Sequence, residues 1–109
     1  MDRAGEGKAG RVIVVLGHFP EYLERAALLD RAVVFNVPTD EWALMNDRQR
    51  WDANRAFLDE AIGADAEIIL ATPPALIRFP SYLASELEYL IARGYRLVRD
   101  GADWKVLRA

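Results

Sequence analysis

Two side chains in this sequence are placed to do chemistry, a carboxylate and an imidazole. Glu86 lies in SYLASELEYLIARGYRLV, where Leu83, Leu87, Leu90 and Ile91 recur at helical spacing and form an inward stripe. It sits at the margin of that stripe, three residues after Leu83 and four before Leu90. Glu88 falls on the opposite flank, toward water. Tyr82 and Tyr89 share the flank of Glu86 and would wall a pocket or hold the carboxylate by a hydrogen bond. The plainer alternative is a surface ion pair of Glu86 with Arg93 or Arg96. His18, the one histidine of the chain, follows the apolar run Val12 to Leu16 and Gly17. It suits a general acid/base or a hydrogen-bonding group at a pocket mouth, and equally a loop cap that satisfies a backbone carbonyl. Asn54 falls between Trp51 and Leu58 inside an apolar stripe. A buried amide there must be hydrogen-bonded, at a cost of about 1–3 kcal/mol if it is not. It would brace a loop or point at a ligand.

The elements that must position these groups follow from the hydrophobic pattern. Three continuous apolar runs read as buried strands: Arg11 to Leu16, Ala32 to Val37 and Glu67 to Thr72. Between them lie helical patterns. The first is PEYLERAALLD, with Pro20 in the first turn. The second, Asp40 to Ile62, is broken near Asn46-Asp47, and Thr39 or Asp40 is available to cap its start. After Pro73-Pro74, Ser81 is a natural N-cap for a helix from Tyr82 to about Arg93, and Gly94 stops it. YRLV, a turn at Asp100-Gly101 and WKVL read as a hairpin.

The order β-α-β-α-β-α-β-β defines an α/β domain: a small three-layer Rossmann-like sheet of three parallel strands plus a C-terminal hairpin. Residues 1–10, polar and glycine-rich, read as a flexible lead-in or linker, and residues 11–109 as a single α/β domain. In such sheets ligands bind beyond the carboxyl ends of the strands. The residues placed there are Gly17, His18 and Phe19 after the first strand, Asn36, Pro38, Thr39 and Trp42 after the second, and Thr72, Pro73 and Pro74 after the third. They are polar and aromatic and would line a small-molecule pocket, with Gly17 allowing close backbone approach.

Composition narrows the chemistry. Hydrophobic residues make up 52% of the chain, enough for a core. No apolar run is long enough to span a membrane and no signal-peptide pattern opens the chain, so a soluble protein is expected. There is no cysteine, which excludes disulfides and thiolate chemistry, and one histidine makes a zinc or non-haem iron site unexpected. No cofactor is expected. The net charge is −3, against the basic surplus usual in a nucleic-acid-binding domain, although Arg48, Arg50 and Arg55 cluster in one segment.

Two resemblances add to this reading. The spacing Glu86, Gly94, then RLV is similar to the nucleoside deoxyribosyltransferase-like group, in which the helix after the third strand carries a glutamate. PSYLAS stands here where that group has a glycine-threonine approach. The resemblance implies cleavage of an N-glycosidic bond, with Glu86 as nucleophile or as stabiliser of an oxocarbenium-like transition state. Over residues 11 to 95 the segments VLGHFPEY, FNVPTDEW, RQRWDANRAFLDEAI, ILATP and SYLASELEYLIARGY resemble C-terminal toxin modules of bacterial polymorphic toxins, of the Rhs-repeat and contact-dependent inhibition kind. That resemblance implies delivery by a larger secreted protein, action in the cytoplasm of a target bacterium, and a cognate immunity protein that blocks the pocket. Absent cysteines disfavour a zinc deaminase.

Three functions are thus expected to compete. The first is hydrolysis of a nucleotide or a cofactor such as NAD, with Glu86 catalytic, His18 assisting, Asn54 orienting the ligand, and Trp42 or Tyr82 stacking on a base. The second is a tRNA-cleaving ribonuclease, with His18 as acid/base and Arg48, Arg50, Arg55 and Arg78 on phosphates. The third is a non-catalytic binding module, such as an immunity or adaptor domain.

Overall fold

The apolar runs do become strands, but of unequal length. In the computed structural model, which describes residues 12–29 and 31–108, β1 spans Ile13–Leu16 and β3 spans Glu67–Leu70. Each carries three consecutive buried residues, as a strand covered on both faces must. β2 is only Ala32–Val33, and Val33 is half-exposed at the sheet edge. The expected six-residue strand is therefore corrected. From residue 34 the chain leaves the sheet, and its apolar side chains go elsewhere. The expected lead-in and Arg11 lie outside the described residues.

The sheet has five strands in the order β2-β1-β3-β5-β4, with β4 at Tyr95–Asp100 and β5 at Asp103–Arg108. β1 pairs in parallel with β2 and with β3, and β5 runs antiparallel to both β3 and β4. The sheet is thus mixed, and the second strand of the hairpin, not the first, joins the parallel part. Gly101 makes the hairpin turn with φ of +63°, a conformation that suits glycine.

Among the described residues four α-helices connect the strands: α1 (Glu21–Ala27), α2 (Thr39–Leu44), α3 (Asp47–Gly63) and α4 (Tyr82–Ile91). The break between α2 and α3 comes at Asn46. Its Oδ1 accepts from the Gln49 N–H at 2.8 Å, and Gln49 Oε1 accepts from the Asn46 N–H at 2.9 Å. This reciprocal capping box satisfies two donors that a new helix start leaves open. Ser81 likewise caps α4, accepting from the Ala84 N–H at 3.1 Å. Neither Thr39 nor Asp40 caps α2. Pro38 holds the cap position without a side-chain bond, and Asp40 accepts only from the adjacent Glu41 N–H.

Alternation along the strands divides the core. Val14, Leu16, Ile68, Leu70 and Val106 face α3 and α4 and meet Leu58, Leu83, Leu87 and Leu90 in one cluster. Each such fully buried aliphatic side chain contributes about 1.5–3 kcal/mol. Val15 and Ile69 point to the other face, where α1 lies on β1 and its Arg25 reaches Asp103 of β5 at 2.7 Å. Among the described residues no helix is long and apolar enough to cross a membrane.

Candidate functional site

Parallel pairing brings two strand ends side by side, because Leu16 of β1 is in register with Leu70 of β3. The Ala71 N–H donates to the Leu16 carbonyl at 2.7 Å, and one residue further the His18 N–H donates to Thr72 Oγ1 at 2.9 Å. A cleft of about 980 Å³ opens beyond these ends. It is lined by residues following β1, by the segment after β2, by α3 and by the start of α4.

Of the residues expected at a site, Glu86, His18, Gly17, Phe19, Asn36, Thr39, Trp42, Asn54 and Tyr82 all line this one cleft. Thr72 does not. Only 1% of it is exposed, and its hydroxyl is committed behind the wall, accepting from His18 and donating to Glu21 Oε1 at 3.0 Å. The expectation that Thr72 touches a ligand is corrected: it splices the two strand ends to α1. Gly17 lines the cleft and is also closely packed. A Cβ there would lie 3.0 Å from Ala71 Cβ and 3.2 Å from both Thr72 Oγ1 and Tyr22 Cβ. Its small size serves the packing of these loops.

Glu86 is the chemically unusual group. Its residue is 6% exposed, it lines the cleft, and it has no hydrogen bond or ion pair among the described residues. Burial without compensation raises its carboxyl to about 7. The alternative of a surface pair with Arg93 or Arg96 is overturned. Arg93 instead lies over the Tyr89 ring, 3.4 Å from its centroid, and donates to the Tyr89 carbonyl. Tyr89 turns away too, its hydroxyl donating to Asp59 at 2.5 Å, so only Tyr82 walls the cleft beside Glu86.

His18 is buried but satisfied. Its Nε2 accepts from the backbone N–H of Arg78 at 3.0 Å, tying the loop before α4 to the end of β1. Desolvation and the Arg78 charge lower its pKa, so the ring is neutral with the proton on Nδ1. Nε2 is then unable to take a substrate proton without releasing that loop. Asn54, 2% exposed, donates through Nδ2 to the Arg50 carbonyl one helical turn back at 2.9 Å. Asn54 lines the cleft, and no described group donates to its Oδ1.

The walls are aromatic. Phe35, Trp42 and Tyr82 form an edge-to-face chain with centroids 5.9 and 5.7 Å apart, and the Arg50 guanidinium sits 5.0 Å from the Trp42 centroid. Arg50 also donates twice to the Trp42 carbonyl. Sequence reasoning missed Phe35, Asp47 and Trp51 as lining groups. Phe35 had been assigned to a strand. The signal that it is not was Pro38, which has no N–H to give a sheet ladder, together with Asn36, a residue type depleted in strands. Among the described residues no cluster of three or more His, Asp or Glu is arranged to hold a metal ion. No protein-family model, curated protein or solved structure matches this chain.

Proposed function

We propose that the cleft binds a nucleotide or a cofactor such as NAD and hydrolyses its N-glycosidic bond, with Glu86 as the catalytic carboxylate. The observation that carries this reading is a buried carboxylate that lines an aromatic-walled cleft and has no partner among the described residues. Leaving such a group unpaired in the free protein costs stability, and the cost is recovered when a ligand supplies the missing charge or donor. In the reaction the C1′–N bond breaks, the base departs with the bonding pair, water adds at C1′, and the proton that this water loses passes to the departed base or to solvent. The ionised Glu86 stabilises positive charge developing on the sugar or takes it as a covalent ester. Trp42 or Tyr82 stacks on the base, Asn54 Oδ1 accepts from a sugar hydroxyl or base amine, and His18 holds the loop that forms the rim.

The parallel pairing of β1 with β2 and β3, with the cleft at the strand ends, supports reading the sheet as a reduced Rossmann-like one. The resemblance to polymorphic-toxin modules supports placing the activity in the cytoplasm of a target bacterium, opposed by an immunity protein. The ribonuclease reading draws little support: Arg48 and Arg55 pair with Asp52, Arg50 is spent on the Trp42 carbonyl, and His18 Nε2 is occupied.

Inducible expression in bacteria, with NAD, nucleotide pools and RNA integrity followed over the first minutes, tests the proposal. A fall in NAD or another nucleotide with intact RNA is expected. Glu86→Gln should lower the rate by about 100-fold or more, an effect of the size seen when a charge-stabilising group is removed from an active site. Activity of purified protein should rise with pH through about 7, as Glu86 ionises. A folded Glu86→Gln protein with undiminished activity refutes the mechanism.

A further inference from the structure

The cleft carries opposite charges, Glu86 on its buried side and the exposed Asp47 and Arg78 elsewhere in its lining, with no other lysine or arginine lining it among the described residues. Most described cations are already engaged. Arg25 is paired with Asp103, Arg48 and Arg55 with Asp52, and Lys105 with Glu67 and Asp100. Arg50, Arg93, Arg99 and Arg108 are bonded to oxygens of Trp42, Tyr89, Gly101 and Tyr95. Arg78 is different. Its guanidinium has no hydrogen bond or ion pair among the described residues, yet its backbone is held at both polar atoms. The N–H donates to His18 Nε2 at 3.0 Å, and the carbonyl accepts from Ser81 Oγ at 2.6 Å. The His18 end of this arrangement is itself anchored through Thr72 to Glu21. Two hydrogen-bonded tethers thus fix where an uncommitted guanidinium starts, at the mouth of a cavity.

We propose that Arg78 anchors a phosphate group of the ligand, so that the cleft selects a nucleotide over the corresponding nucleoside. The inference rests on reading the cleft as a nucleotide site and names what that site requires of its substrate. A guanidinium offers paired donors that match phosphate oxygens, and such charge-assisted bonds are strong where water is partly excluded. The volume of about 980 Å³ lies at the upper end of the range for small-molecule pockets, so a base, a ribose and at least one phosphate fit together. The phosphate then lies toward the Arg78 rim and the glycosidic bond toward Glu86. His18 and Ser81 are positioning residues for Arg78.

Calorimetric titration of the whole chain with adenosine, adenosine monophosphate and NAD tests this. The unmodified protein should bind adenosine monophosphate about 10- to 100-fold more tightly than adenosine, the range expected of one charged hydrogen-bonded contact. Arg78→Ala should reduce that preference to within about threefold while adenosine affinity stays constant, which also reports that the variant is folded. Arg78→Lys should retain part of it, because charge remains while paired geometry is lost. Equal affinities on the unmodified protein, or an undiminished preference in Arg78→Ala, overturn the anchor and leave the nucleotide-cleft reading intact. Failure of all three compounds to bind overturns both.

Discussion

The two sides of the cleft bury polar groups to nearly the same extent and treat them in opposite ways. His18 is 7% exposed and Glu86 is 6% exposed. On the first side, the His18 N–H meets Thr72, the Thr72 hydroxyl meets Glu21, and His18 Nε2 accepts from Arg78. On the second side, Glu86 has no such partner among the described residues. A saturated network holds backbone in one arrangement, whereas an open acceptor is a place for something to bind. The difference leaves one side of a single cavity with its polar groups committed to the protein and the other with a carboxylate still open to a ligand.

The sharpest way to break this comparison is to titrate Glu86 through stability. Its folded pKa of about 7 lies above the ordinary value of 4.5. The folded state therefore holds this proton more tightly than the unfolded chain. The resulting stability is complete below 4.5 and is lost as pH rises to about 7. Between pH 4.5 and 8, Glu86→Gln should gain on the unmodified protein by about 3 kcal/mol, because the variant has no carboxyl to ionise. Urea unfolding at intervals across that range reads the gain. His18 shifts the other way, its lowered pKa removing stability as pH falls below 6.5, but it is present in both proteins and cancels. A constant difference would mean that Glu86 is satisfied after all.

Thr72→Val probes the saturated side. It keeps the shape and removes the acceptor of the His18 N–H and the donor to Glu21. A loss of about 1–3 kcal/mol is expected, since a buried donor is left unmet. Urea midpoints that match the unmodified protein would show the network to be incidental. The smallest effect is expected outside the cleft. The Arg55–Asp52 pair is 3.3 Å long with both side chains half-exposed, and Arg55→Ala should change stability by less than about 0.5 kcal/mol and leave nucleotide turnover unaltered. A large loss of turnover would move the site toward that arginine cluster and restore the ribonuclease reading.

Much of the frame was legible because it is local or periodic. The runs ending at Leu16 and Leu70 are strands, the helix break falls at Asn46, and Ser81 caps α4. These follow from apolar continuity and from side chains that bond their own neighbours three residues away. The run AVVFNV misled because apolar residues are needed in two settings. Val33 ends β2, and Phe35 is apolar because it packs against Trp42 and Phe57 at the cleft, not because it lies in a sheet. The position of Glu86 was readable from its spacing to Leu83 and Leu90, but its isolation was not: Arg93, one of the two partners expected for it, lies beyond the end of α4 and packs on Tyr89.

The amino-acid order by itself determined where the helices and the strands other than β2 run, and that a carboxylate lies at the border of an apolar helix face. Those outcomes depend on contacts between residues a few positions apart. Tertiary structure alone decided that Thr72 meets the backbone of His18, 54 residues away, that His18 reaches Arg78 across 60, and that no described group meets Glu86. Hydrogen bonds over such separations depend on how strand ends are juxtaposed, and a linear pattern carries no measure of that distance.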